Sequence, residues 1–385
     1  MNKRKIPLAW KQLVRQKGRF IIALAGISFA DILILMQLGF QSALLDTNTL
    51  LPKLIEADII LTSSQAQNFG LLKEFPRRRL FQTKNLPQVE SADALYVSLG
   101  NWKNPDTKTE STILVLGFNP AKSAFNLPEI KQNLKLIQYP DTLLFDQNSR
   151  GEYENFITQV NQGKSVTTEL QRRKISIKGL YRVGSSFIAD GSLMTSDQNF
   201  LRIFKGRTAG EVSLGLIKLK PGIDADFTVN ELKSLLPSDV KVFTLKEFIA
   251  SEKNYWQTST SIGFIFSFGV VVGFLVGVII VYQILFSDVS DHLPEYATLK
   301  AMGYSNSYLL RVVFQEAIIL AICGYIPGCL ISIGLYEITR SATSLPLIMP
   351  PTRIIQTLGL TIVMCVASGA IAVRKLGSAD PADIF

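Results

Sequence analysis

Four apolar runs, each long enough to cross a bilayer, constrain this chain more than any other feature. Residues 20–40 read FIIALAGISFADILILMQLGF, and residues 261–286 read SIGFIFSFGVVVGFLVGVIIVYQILF. Residues 309–336 are apolar apart from Arg311, Gln315 and Glu316 near their start, and residues 354–373 read IIQTLGLTIVMCVASGAIAV. A helix of about 20 such residues spans about 30 Å of hydrocarbon. The first run has no small-residue cleavage site and is long for a signal sequence, so it reads as a span too. Of 385 residues 47% are hydrophobic and only 18% charged, where a soluble domain carries about 25% charge. Three cysteines, all inside the runs at 323, 329 and 365, argue against a disulfide scaffold and suit apolar packing. One histidine argues against a His-rich metal site or Ser-His-Asp chemistry.

Short basic flanks set the orientation. Lys3, Arg4, Lys5, Lys11, Arg15, Lys17 and Arg19 precede the first run, with no acid among them. With both termini inside, Lys300, Arg311, Arg374 and Lys375 join them, against Arg340 and Arg353 on the one short outer loop. The positive-inside rule then puts both termini of a multi-pass membrane protein in the cytosol. The +9 net charge sits mainly on that face, where anionic lipid headgroups account for it and nucleic acid is not needed.

The expected organisation is α-helical, with four transmembrane helices and a large α/β (α+β) periplasmic domain of two lobes between helices 1 and 2. Its segments are a cytosolic amphipathic helix (1–19), a first span (20–41), the periplasmic domain (42–258), a second span (259–287) and a cytosolic coupling helix (288–307). A third span (308–336), a short periplasmic loop (337–353), a fourth span (354–373) and a cytosolic tail (374–385) follow. Within the domain, a membrane-proximal α/β lobe takes 42–90 and 206–258, and a strand-rich lobe, 91–205, is inserted. Residues 57–61 read as a strand, 77–84 as a helix, and 92–102, 111–118, 174–183 and 192–195 as strands. The alternation of 211–219, the turn at Pro221-Gly222, the helical spacing of 224–236 and the strand VKVFTL predict a βαβ unit. Residues 246–257 are expected to run as helix straight into the second span.

Several motifs carry candidate roles. Gly163-Lys164-Ser165 invites a phosphate-loop reading, but Thr158 stands where the required first glycine belongs, and strand-then-helix flanks are missing. Gly269, Gly273 and Gly277 form a tandem GxxxG that Gly324 and Gly328 repeat, spacing that lets helices approach closely, either within one subunit or across a homodimer. Asp31, mid-span, is either hydrogen-bonded in packing or part of an ion pathway, and Glu316 is the second intramembrane acid. Ile6, Trp10, Leu13 and Val14 share one helical face with Lys11, Arg15 and Lys17 elsewhere, which suits a membrane-surface helix running to Arg19. The connection 287–317, SDVSDHLPEYATLKAMGYSNSYLLRVVFQEA, is far longer than two spans require. It contains a helix-compatible piece with Gly303 as its expected cap, suited to docking in a partner's cleft, and His292 reads there as a contact or solvated residue.

These residues carry a family resemblance. Glu295, Leu299-Lys300-Ala301-Met302-Gly303, Glu316-Ala317, Gly324 and Gly328 resemble the signature of FtsX-type permease domains of MacB-like, mechanotransmission ABC exporters. Trp10, Leu13 and Arg19 resemble that family's entry helix, and residues 29–40 with Asp31 resemble the DevC-type subgroup of cyanobacterial tripartite exporters. Two departures stand out: Pro294 precedes Glu295 where relatives commonly have a basic residue, and Ile384-Phe385 follows the ending Ala379-Asp380-Pro381-Ala382 in place of Leu-Arg. The resemblance implies a homodimeric, non-catalytic permease subunit of the inner (plasma) membrane, without a fused ATPase domain. It implies no cofactor or metal on this chain, with ATP and Mg held by a separate ABC ATPase dimer of the DevA or MacB type. A DevB-type membrane-fusion adaptor, a TolC-like outer-membrane duct and a glycolipid cargo are further implied. Asp288, Asp291, His292, Glu295, Leu299, Lys300, Met302, Gly303 and Tyr304 are the implied ATPase-coupling residues. An FtsX-like scaffold controlling cell-wall hydrolases and a lipoprotein-release permease are the alternatives within the family, and a proton-coupled carrier centred on Asp31 lies outside it.

Overall fold

The structure, a computed structural model, describes residues 10, 13, 15, 17–295, 298, 302, 306–343 and 345–376. It forms two compact units, one of Met1–Ala43 with Ser261–Phe385 and one of Leu44–Thr260. Four of its helices are long and apolar enough to cross a membrane, the first being α1 (Lys17–Asn48).

The inserted unit is α/β. In chain order it contains α2 (Leu50–Lys53), β1 (Ile59–Ser63), β2 (Phe75–Pro76), α3 (Arg78–Thr83), β3 (Val89–Lys103), β4 (Glu110–Phe118), α4 (Pro128–Asn133), β5 (Thr142–Asp146), α5 (Glu154–Asn161) and β6 (Val166–Leu170). There follow β7 (Arg173–Tyr181), β8 (Ser192–Ser196), α6 (Asp197–Ile203), β9 (Glu211–Val212), β10 (Leu214–Leu219), α7 (Ala225–Leu235), β11 (Val240–Thr244) and α8 (Leu245–Asn254). Nine strands form one sheet in the order β11-β1-β10-β3-β4-β8-β5-β7-β6, and β2 pairs with β9 apart from it. Strand β6 also meets β3, Leu170 opposite Trp102, so the last six strands close into a ring.

Local chemistry accounts for most of these elements. Strand β7 alternates buried Ile175, Ile177 and Tyr181 with more exposed neighbours, the period of a strand with one dry face. Strands β1, β5 and β8 are buried throughout, as continuous apolar runs covered on both faces should be. One face of the sheet packs Ile59, Leu61 and Ile217 with Leu80 of α3 and Val229 and Leu232 of α7. The other packs Ile60, Leu114 and Leu116 with Phe125, Ile130 and Phe248. The expected βαβ unit is β10, α7 and β11, but β1 inserts antiparallel between its two strands. Asp224 caps α7 by accepting from the N–H groups of Asp226 and Phe227. Leu245, expected to end the last strand, opens α8 instead, because Thr244 and Glu247 form a reciprocal capping box there.

Two expectations need correction. The lobe boundary at 90/91 falls at the start of β3, whose first half pairs with β10 and second half with β4, so one sheet runs through both lobes. The stretch 246–257 does not run unbroken into the second span: a π-helical turn, Tyr255–Ser259, ends at Thr260, whose backbone is extended (φ −110°, ψ 145°). Gly163 lies after helix α5 and before strand β6, the reverse of a phosphate loop, with φ +77°.

Glu252 of α8 is almost fully buried, and burial pushes its carboxyl up to about 7, opposed by donation from the Phe69 N–H and from Trp256. Below about pH 4.5 the carboxyl is protonated whether or not the unit is folded, so stability there does not vary with pH on its account. As pH rises from about 4.5 through about 7 the unfolded chain releases this proton first, so stability falls and then levels off. The expected loss across that window is about 3 kcal/mol. In Glu252→Gln this part of the pH dependence should vanish. A thermal-melt series from pH 4.5 to 8 checks it; identical slopes for both proteins would exclude the assignment.

The other unit adds α9 (Ser261–Asp291), α10 (Asn306–Thr343) and α11 (Pro351–Leu376) to α1. Both α9 and α10 outrun their expected spans, and only 344–350 separates α10 from α11 where a 337–353 loop was expected. Arg353, expected on that outer loop, is buried, donating to the Ile348 carbonyl at 2.9 Å with its guanidinium over the Tyr336 ring. Cys329 and Cys365 are buried and Cys323 is half-buried.

Candidate coupling site between the second and third apolar helices

Glycines set where α9 and α10 lie against α1. A Cβ on Gly269 would meet Gln37, one on Gly273 would meet Ile34, and one on Gly277 would meet Ala30 and Met364. The partners on α1 descend as the α9 numbers rise, so the two helices are antiparallel. On α10, Gly324 faces Ile27, Gly328 faces Ser28 and Asp31, and Tyr336 donates to the Leu35 carbonyl, an ascending series that makes α10 parallel to α1. The close approach that small residues permit is therefore taken up within one chain, and α1 fills the space a second copy would need above these glycines.

Where α9 ends, polar groups converge. Asp288 and His292, one turn apart, are buried, as is Glu316 of α10. The His292 Nδ1 lies 2.8 Å from the Asp288 carbonyl oxygen and 3.7 Å from its Oδ1. The Glu316 carboxyl faces that of Asp288. Two acids and an imidazole are thus buried together where the end of α9 meets the start of α10, with both Glu316 carboxyl oxygens and the Asp288 Oδ2 without a hydrogen-bond partner among the described residues. His292, expected as a contact or solvated residue, is thus an interior one. Asp291 is exposed and ion-pairs with Arg19 of α1, while Glu295 and Met302 are exposed, Met302 at 64%. Leu299, Lys300, Gly303 and Tyr304 lie outside the described residues. So do Lys11, Ile6, Val14, and the ending Ala379-Asp380-Pro381-Ala382 with Ile384-Phe385. Trp10 is exposed and meets the Phe20 ring edge-on at 6.4 Å; Leu13 is buried, and Arg15 and Arg19 are exposed.

Asp31 is fully buried in α1 and accepts from Thr361 of α11 at 2.6 Å. Around it Ser28 donates to the Gly324 carbonyl, Ser332 to the Gly328 carbonyl and Ser368 to the Val278 carbonyl. This hydroxyl seam escapes hydropathy reading because Ser and Thr sit within apolar runs when a backbone carbonyl of their own helix, as for Ser332 and Thr361, or of a neighbouring one, as for Ser28, accepts from them. The Asp288–His292–Glu316 cluster had a better signal: an i, i+4 acid–histidine pair followed by an acid inside an apolar run.

Residues 264–381 match the family described as FtsX-like permease C-terminal, a stretch that takes in most of α9, the connection, α10 and α11. No curated protein matches the chain. Among solved structures it is similar to the periplasmic region of MacB from Actinobacillus actinomycetemcomitans at 11% identity, covering 52% of this chain and 94% of that one, with a TM-score of 0.36. It is also similar to the extracellular domain of the noncanonic ABC-type transporter YknZ from Gram-positive bacteria, at 11% identity and 49% and 99% coverage, with a TM-score of 0.33.

Proposed function

We propose that the chain is the membrane-spanning, non-catalytic subunit of a MacB/FtsX-type ABC exporter. The observation that carries this reading is the coincidence of the FtsX-like match over 264–381 with a connection at whose base Asp288, His292 and Glu316 are buried while Glu295 and Met302 stand exposed. Exposed Met is an adaptable anchor for a hydrophobic pocket, and Glu295 adds charge specificity beside it. In this reading the connection seats in a groove of a separate ATPase of the DevA or MacB type, which holds ATP and Mg. Two copies of this chain act together. Both termini face the cytosol, as the basic flanks favour, and residues 42–258 face outward. A DevB-type adaptor and a TolC-like duct complete a DevC-type assembly with glycolipid as cargo; the likeness of residues 29–40 to that subgroup supports this finer assignment.

Co-expression with the cognate ATPase tests the reading. Glu295→Arg and Met302→Asp together should abolish ATPase co-purification, a drop of at least about a hundredfold in retained partner, given that buried anchors are worth about 2 kcal/mol or more each. Insertion into the membrane should be unaffected. A normal complex from the double variant, or ATP hydrolysis by this chain alone, rejects the assignment.

A further inference from the structure

Cations collect beside the tip of the β6–β7 hairpin. Arg172, Arg173, Arg202, Lys205 and Arg207 line an open groove of about 700 Å³, with half-buried Phe204 in its wall. Two acids partly offset them. Asp141 accepts from Arg173 in a bidentate pair, Nε to Oδ1 at 2.7 Å and Nη2 to Oδ2 at 3.0 Å, and its Oδ2 lies 3.6 Å from Arg202. Donation by Arg173 holds the Asp141 carboxyl below its usual range, so it stays ionised and keeps both guanidinium groups in place. Glu74 pairs with Arg207, whose guanidinium also donates to Ser213 and lies over the Phe200 ring. Five cations less two anions leaves a formal +3, and among the described residues neither Arg172 nor Lys205 has an acidic partner.

Backbone geometry singles out the same place independently. Among the described residues only Lys108, Asp141, Gln171 and Arg172 combine a side chain with positive φ. Two of the four line this groove, Gln171 at 51° and Arg172 at 59°, and a third, Asp141 at 55°, pairs with Arg173 and Arg202 of its lining. Left-handed backbone is unfavourable for residues other than glycine, Asn and Asp, and a two-residue hairpin turn with both φ positive prefers Asn-Gly. Here it holds Gln-Arg. The turn is pinned by the Gln171 N–H to the Asn101 carbonyl at 2.9 Å, and Asp141 by its N–H to Asn199 Oδ1 at 2.9 Å. Strain kept in residues that carry or orient cations is the mark of a site rather than of packing.

Arg172 and Lys205 offer a guanidinium and an ammonium without acidic partners, beside three guanidinium groups that two carboxylates only partly neutralise, a combination suited to charge-assisted recognition of phosphate. The groove's volume lies within the range of about 300–1,000 Å³ typical of small-ligand sites. We propose that this groove binds a phosphate-bearing polyanion, either a free small molecule or the headgroup of an amphiphile. The proposal stands on the α/β unit alone and does not depend on the exporter reading.

The test uses the full-length chain in uncharged detergent. It is titrated with inorganic pyrophosphate and, separately, with mixed micelles containing phosphatidylglycerol or neutral phosphatidylcholine. Saturable pyrophosphate binding is expected, weakened about tenfold or more in Lys205→Glu, as loss of a charge-assisted contact implies. The double variant Gln171→Asn/Arg172→Gly should lose affinity similarly while melting at a higher temperature, because it relieves the turn; a purely structural role for Arg172 predicts no such opposition. Should the double variant melt lower, Lys205→Glu decides alone. Response to phosphatidylglycerol but not to pyrophosphate, with the same variant sensitivity, supports the proposal with a headgroup as the source. Binding of neither anion, undiminished binding by Lys205→Glu, or capture of polyglutamate in place of both phosphates overturns it.

Discussion

Gly328→Val is expected to take the four-helix unit apart. A Cβ at this position would lie 3.0 Å from both the Cα and the carbonyl oxygen of Ser28, and 3.1 Å from the Asp31 Cβ. Two of those atoms are helix backbone, which cannot rotate away as a side-chain tip can, so α1 and α10 must separate. Separation loses the Ser28 bond to the Gly324 carbonyl and the Tyr336 bond to the Leu35 carbonyl together. Overpacking of a close-fitted interior costs about 1–3 kcal/mol, and the two bonds add about 1 kcal/mol each, so a loss of about 3–5 kcal/mol is expected. Gly334, on the same helix, has nothing within 4 Å of its Cβ position, and Gly334→Val is the matched control. Size-exclusion profiles of heated, detergent-solubilised protein compare the two. Equal melting of both variants would show that the α1–α10 seam is not what holds the unit.

The second large effect belongs to Trp102→Ala in the α/β unit. Trp102 is fully buried, pairs with Leu170 where the strand ring closes, and stacks on Phe145 at 5.4 Å with Phe156 at 6.3 Å. Removing a buried tryptophan costs about 3–5 kcal/mol. The loss should concentrate at the closure, since β6 otherwise pairs only with β7. Hydrogen exchange is the sharper readout: amides of Val166–Leu170 should lose most of their protection while those of β1 and β10 keep theirs. Uniform loss across the sheet would mean that the ring closure is not a separate weak point, and unchanged exchange in β6 would mean that Trp102 does not hold it.

Different parts of the molecule were legible to different degrees. Local rules carried the four long helices, β4, β8 and α7, because apolar period, capping residues and Pro-Gly turns act within about ten residues of chain. They failed at the join between α8 and α9, where the composition favours helix throughout but Thr260 leaves the helical region. The groove at the β6–β7 tip was illegible for another reason: Asp141, Arg173 and Arg202 come from three separate segments, and the charges of each look like ordinary solvated residues.

The amino-acid order alone determined that this chain has four bilayer-length helices with one large insert after the first. Burying about 20 successive apolar side chains leaves no other inexpensive arrangement, and the helix closes its own backbone hydrogen bonds without help from distant residues. Only the tertiary structure decided which strand lies beside which, that β1 would slip between β10 and β11, and that β6 would return to β3. It also decided that α1 would occupy both glycine seams and that the Glu316 carboxyl would face that of Asp288. Each of these rests on contacts between residues tens to hundreds of positions apart. Such contacts are chosen by shape and partner at the moment of packing, and no periodicity along the chain records them.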